Sequence, residues 1–127
     1  MPKKVLIVDD EPNIVLSVEF LMRREGHEVM SAADGQAALE LLGKDKPDLM
    51  ILDVMMPRKN GFEVCAEVRA DPQLADLPIL MLTAKGREAE RDKGLSLGAD
   101  AYITKPFSTH ELVANVNELL AQNEQEG

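Results

Sequence analysis

Apolar residues along this chain alternate between two rhythms, a short unbroken run and then a recurrence every three or four positions. Val5 to Val8 is continuous, aliphatic and largely β-branched, as expected of a strand covered on both faces. Pro12 suits the first turn of a helix, where its missing N–H costs nothing. Ile14, Val18, Leu21 and Met22 then keep helical spacing up to Gly26, a natural stop. His27 to Ala32 reads as a weaker strand, and Asp34-Gly35 turns into a helix with Ala38, Leu41 and Leu42 on one side.

The same alternation continues to the end. Strand Leu49 to Leu52 precedes a helix over Gly61 to Arg69, with Val64, Cys65 and Val68 on one face. Strand Ile79 to Leu82 precedes a helical stretch, 87–97, that is rich in charge, broken by Gly94 and poorly amphipathic. Ala101 to Ile103 is a short strand. The last helix is strongly amphipathic through Leu112, Val116, Leu119 and Leu120, with Ser108 as N-cap and Glu111 three residues on.

Five β-then-α units predict an α/β fold, a doubly wound parallel sheet flanked by five helices with right-handed crossovers. In such open sheets, ligands bind beyond the carboxyl ends of the strands, where strand order reverses. Those ends carry the polar residues. Strand one ends in Asp9-Asp10, strand three in Asp53, strand four in Thr83, and strand five runs into Thr104-Lys105-Pro106. Singly, each has a structural reading: Asp10 and Thr83 as helix caps, Asp53 in a turn, Lys105 as a solvated loop lysine. Jointly they do not, because unit charges near 4 Å repel by roughly 4 kcal/mol at an effective dielectric of 20. Mg²⁺, which takes oxygen ligands and commonly bridges one or two carboxylates to a phosphate, would compensate. The implied chemistry is phosphoryl transfer onto Asp53, with Lys105 and Thr83 serving the phosphoryl group.

Composition narrows the class. The 127 residues suit one domain, with one cysteine and no metal-binding Cys/His spacing. The net charge of −9 and scarcity of aromatics disfavour direct nucleic-acid binding. The apolar stretch in MPKKVLIVDD is too short for a signal peptide or membrane span, so the expected setting is cytoplasmic, with no membrane contact. The domain is expected over 1–123, with a polar tail at 124–127.

At these residues the sequence resembles the receiver domain of two-component response regulators, a flavodoxin-like, chemotaxis-regulator-like (CheY-like) family. VLIVDDEP carries the acid pair, LMILDVMMPRKNG the phosphoacceptor strand and turn, PILMLTA the switch hydroxyl, and GADAYITKPF the aromatic and the lysine. Asp53 precedes Thr83 by thirty positions and Lys105 by fifty-two, as the family pattern expects. The resemblance implies the strand order 2-1-3-4-5. Asp53 would accept a phosphoryl group from the phosphohistidine of a sensor histidine kinase or phosphotransfer protein. Asp10 would ligate Mg²⁺ directly, Asp9 mainly through water, and Met55 through its backbone carbonyl. Lys105 would pair with phosphoryl oxygens, Thr83 would move to bond them, and Tyr102 would turn inward. The peptide before Pro106 would be cis. Side chains at Met55 and Lys85 would overlook the phosphoryl group and tune its hydrolysis.

The expected protein is thus a phosphorylation-switched signalling domain rather than an enzyme with an external substrate, read by a downstream effector through helix four, strand five and helix five. The transcription-factor subfamily that dimerises through this surface uses paired charges. Arg91 and Glu111 keep one pair, but Ala101 and Asn115 replace another, so a monomer or weak phosphorylation-dependent dimer is expected. A haloacid-dehalogenase-type phosphatase would need DxD after strand one and a cap domain. A pseudo-receiver would lack the residues present here, and a flavin protein would need a Ser/Thr/Gly-rich loop. Cys65 and most methionines read as core; His27 and His110 read as surface or cap residues.

Overall fold

The computed structural model describes residues 3–84 and 88–126. Five strands, β1 (Lys4–Val8), β2 (Glu28–Ala32), β3 (Leu49–Asp53), β4 (Ile79–Ala84) and β5 (Ala101–Lys105), alternate with five helices. These are α1 (Pro12–Arg24), α2 (Gly35–Lys44), α3 (Gly61–Ala70), α4 (Glu88–Ser96) and α5 (Thr109–Glu126). All the pairings are parallel, in the order β2-β1-β3-β4-β5. The doubly wound sheet anticipated from the sequence is therefore present, and strand order reverses between β1 and β3.

Continuous apolar strands acquire their meaning from the two cores. Leu6, Val8, Met50, Leu52, Ile79 and Met81 pack on one side of the sheet with Val64, Val68 and Leu42 from α3 and α2. The alternate residues Val5, Ile7, Leu49, Ile51, Leu80 and Leu82 pack on the other with Val18 and Met22 of α1 and Leu112 and Val116 of α5. Each strand feeds both cores because successive side chains point to opposite faces. Burying one such Leu or Ile contributes roughly 1.5–3 kcal/mol.

Helix ends follow local chemistry. Gly26, at φ +89°, ends α1, with its N–H bonded to the Arg23 carbonyl and that of His27 to Met22. This is the paired bonding of a left-handed helix stop. Asn60 and Glu63 form a reciprocal capping box at α3. Ser108 Oγ accepts the Glu111 N–H at 3.0 Å, as the sequence suggested.

Several elements differ from expectation. β3, β4 and β5 extend two residues or fewer beyond their apolar runs, because ladder pairing continues through Asp53, Thr83-Ala84 and Thr104-Lys105. α5 continues through Glu126, into the stretch expected as a polar tail. The His27 residue is half-buried, and both its ring nitrogens are covered with no hydrogen-bond partner among the described residues. Met55 is 62% exposed, unlike the core methionines Met22, Met50 and Met81. Lys85 and the first residue of the helix expected at 87 lie outside the described residues.

Candidate functional site

The polar strand ends converge at the switch point. Asp9 follows β1 directly and is fixed there by its N–H to the Ala32 carbonyl at 3.1 Å. Its Oδ1 accepts the Glu11 N–H at 2.9 Å, which shapes the turn into α1. Asp53 is the last residue of β3, on the neighbouring strand. Asp9, Asp53 and the more exposed Asp10 each offer a carboxylate oxygen within 4.8 Å of the others. Burial separates them, since Asp9 is 1% and Asp53 5% exposed while Asp10 lies in solvent.

Lys105 reaches across from the end of β5. Its Nζ lies 2.9 Å from Asp9 Oδ2, 3.3 Å from Asp53 Oδ1 and 3.2 Å from Glu11 Oε1. Burial would lower the lysine pKa, but its carboxylate partners outweigh that and hold it well above the usual value. Asp53 moves the opposite way. Burial, then the Asp9 charge, push its carboxyl up from 3.8 to about 6 despite the opposing pull of Lys105. One ammonium thus does not neutralise three gathered carboxylates.

The loop after Asp53 is tightly built. Val54 N–H bonds to the Leu82 carbonyl at 3.2 Å and Gly61 N–H to the Val54 carbonyl at 2.9 Å. A Cβ on Gly61 would lie 2.4 Å from the Asp53 carbonyl oxygen, so only glycine lets α3 begin this close to the acid. Thr83, buried on β4, pairs in register with Thr104. Tyr102 is half-buried on β5 beneath the Arg91 guanidinium, 4.5 Å from its ring centre. The Lys105–Pro106 peptide is cis. His110 is exposed on α5, and Cys65 is fully buried, its thiol pKa raised by burial.

The donor set fits a hard divalent cation. The ligand atoms are carboxylate oxygens, and Asp9 Oδ2 is buried with no hydrogen bond among the described residues, ion-paired to Lys105. Mg²⁺ takes such oxygens and retains waters in its remaining positions.

Three features escaped the sequence reading. Glu11 shares Lys105 with the acids, a pairing across 94 positions that no local pattern encodes. Leu16 and Phe20 are each 65% exposed on α1, and their four-residue spacing off the core face was the available signal. Asp34 meets Arg58 at 3.3 Å, although the two are 24 positions apart.

A response regulator receiver domain model matches residues 5–117. A response-regulator candidate from Chloroflexus aurantiacus J-10-fl is 41% identical, with a TM-score of 0.93 over 95% of this chain and 99% of that one. The chemotaxis response regulator CheY4 of Vibrio cholerae is 36% identical, with a TM-score of 0.88 over 94% and 99%. NtrX from Brucella abortus is 28% identical, with a TM-score of 0.92 over 99% of this chain but only 28% of that longer chain. With this match, a CheY-like sheet order and the acids gathered at its switch point, the chain belongs to the response regulator receiver domains of two-component systems.

Proposed function

We propose that this receiver accepts a phosphoryl group on Asp53 from the phosphohistidine of a sensor histidine kinase or phosphotransfer protein. The observation that carries the reading is the meeting of Asp9, Asp10 and Asp53 within 4.8 Å, with Lys105 bridging Asp9 and Asp53. An Asp53 carboxylate oxygen attacks phosphorus, the P–N bond breaks, and the electron pair stays on the departing imidazole nitrogen. Asp9, Asp10, Asp53 and the Met55 carbonyl would hold Mg²⁺. Bound there, Mg²⁺ would neutralise charge on the transferring group. Lys105 supplies a fixed positive charge to the same oxygens. Water later hydrolyses the acyl phosphate, so the domain turns over no external substrate.

The new dianion is then read as a conformational signal. The Thr83 hydroxyl moves to donate a hydrogen bond to a phosphoryl oxygen, Tyr102 turns inward, and the α4–β5–α5 surface changes for an effector protein or output domain. The expected setting is cytoplasmic, with protein partners rather than nucleic acid or membrane. The net charge of −9 supports that choice, and no described helix is long and apolar enough to cross a membrane.

Intact mass after incubation with Mg²⁺ and acetyl phosphate tests the reaction. One added phosphoryl group, lost without Mg²⁺ and in Asp53→Ala, is expected. A phosphoryl adduct retained in Asp53→Ala would place the acceptor elsewhere. No adduct in the wild type, even with a phosphorylated histidine protein as donor, would favour a pseudo-receiver.

A further inference from the structure

α2 begins against the loop that follows Asp53. Gly35 is its first residue, and its backbone is not in the left-handed region, so conformation alone does not require glycine there. Space does. A Cβ on Gly35 would lie 2.3 Å from the Lys59 carbonyl oxygen, 2.6 Å from Lys59 Cβ and 2.8 Å from Val64 Cγ2. The nearest obstacle is backbone, which cannot swing aside as the end of a side chain would.

The preceding residue, Asp34, divides its carboxylate between two tasks. Oδ1 accepts the Ala37 N–H at 2.8 Å and caps α2, while Oδ2 accepts from Arg58 Nη1 at 3.3 Å. Arg58 holds φ +70°, a conformation costly for a side-chain-bearing residue that is kept only where surroundings enforce it. The ends of the loop are tied to the sheet and α3 through Val54 and Gly61. Its middle meets α2 at Arg58 and Lys59, and α3 through Lys59 and Glu67.

We propose that Asp34 and Gly35 are positioning residues for loop 54–60, fixing the backbone after Asp53 and thereby the affinity of the acidic site for Mg²⁺. The inference rests on the metal-dependent reading above. Mg²⁺ demands near-ideal octahedral geometry with ligands at about 2.1 Å, so a small shift of a backbone carbonyl in the loop is felt at once. Gly35 acts as a wall of fixed depth, and the Asp34–Arg58 pair holds the loop against it.

The test measures Mg²⁺ affinity by calorimetry above the Asp53 pKa, with melting temperature as control, on the full chain. Gly35→Ala should weaken Mg²⁺ binding about ten- to a hundredfold, the scale seen when groups that orient metal ligands are altered. Asp34→Asn keeps a good N-cap, so helix stability is preserved while the ion pair is lost. It and Arg58→Ala should each weaken binding about two- to fivefold, as an exposed pair allows. The double variant should be no weaker than either single one, because both remove one interaction. Mg²⁺ affinity within about twofold of wild type in folded Gly35→Ala would overturn the proposal, as would full additivity of the pair. Should Gly35→Ala fail to fold, the Asp34 and Arg58 variants decide. Should the wild type bind no Mg²⁺, the metal-dependent reading falls first. Amide hydrogen exchange in the metal-free chain then decides positioning: faster exchange at Val54 and Gly61 in the Gly35 or Asp34 variants supports it, and unchanged exchange overturns it.

Discussion

The proposed chemistry centres on Asp53, whose environment opposes its own charge. Burial and Asp9 raise its pKa to about 6, against 3.8 ordinarily, with Lys105 opposing them. A raised acid pKa means that the fold disfavours the charged form. The cost is absent below the unfolded value near 4, grows as pH rises, and is fully present above about 6. A shift of about two units, with the pull of Lys105 already included, corresponds to at most roughly 3 kcal/mol, which solvent screening at the open edge of the site reduces. Asp53→Asn should therefore stabilise the metal-free protein by about 1–2 kcal/mol near neutral pH, and by almost nothing near pH 4. Urea unfolding at both pH values checks this, and equal gains at the two would contradict it. Phosphorylation by acetyl phosphate at limiting Mg²⁺ should drop about tenfold per pH unit below about pH 6, as the nucleophile protonates. Raising Mg²⁺ should move that midpoint lower, since metal and proton compete for one carboxylate. A flat rate profile through this range would remove Asp53 ionisation from the mechanism.

Single elements differ in how firmly they are held. α4 buries only Gly94 among its described residues, where a Cβ would meet Met81 Sδ at 2.5 Å. Its other attachments include Lys93 over Phe62 at 4.6 Å and Arg91 over Tyr102 at 4.5 Å. Such contacts are worth about 0.5–1 kcal/mol at exposed sites. The poor amphipathicity of this stretch in the sequence thus reflects a helix held by small-residue contact and cation–π stacking, not by an apolar face. α3 is anchored quite differently. Arg69, at its end, donates to the carbonyls of Gly98, Ala75 and Leu77 and to the carboxylate of Asp100, which also accepts the Ile79 N–H. That one guanidinium ties α3 to the starts of β4 and β5. Arg69→Ala should cost about 2–4 kcal/mol in urea unfolding, because partly buried acceptors lose their donor. Arg69→Lys should recover less than half, since one ammonium cannot match the planar fork. Full recovery by lysine would reduce the contact to simple charge.

At the scale of the molecule, the rigid sheet delivers acids from β1 and β3 and a lysine from β5 to one edge, beside the lightly held α4. This contrast suits the proposed switch, because a new charge at Asp53 meets a firm floor and a movable neighbour. Tyr102 is the single tyrosine and there is no tryptophan, so intrinsic fluorescence reports one position. Phosphorylation should reduce acrylamide quenching of Tyr102 as its ring turns inward, and should do so in wild type but not in Thr83→Ala. Quenching that ignores phosphorylation would disconnect this ring from the switch. Amides of α4 should exchange well before those of β1, β3 and β4, which fill both cores.

Local order was legible because it is periodic. Continuous runs at Val5–Val8 and Leu49–Leu52 could be satisfied only by strands buried on two faces, and the spacing of Val18, Leu21 and Met22 only by a helix with one apolar side. Repetition of that unit five times dictated a parallel sheet, and the acids at its strand ends marked the edge that matters. What lay beyond reach depends on residues distant in sequence. Whether an acid is buried, as Asp9 is, or left in solvent, as Asp10 is, follows from strand packing rather than from the DD dipeptide. Glu11 finds Lys105, Arg58 finds Asp34, and Arg91 finds Tyr102 only after the crossovers bring their elements together. The ring nitrogens of His27 are covered for the same reason. Sequence sets each segment's period and its chemical ends; burial and charge pairing, which fix the Asp53 pKa, exist only once the chain has closed around them.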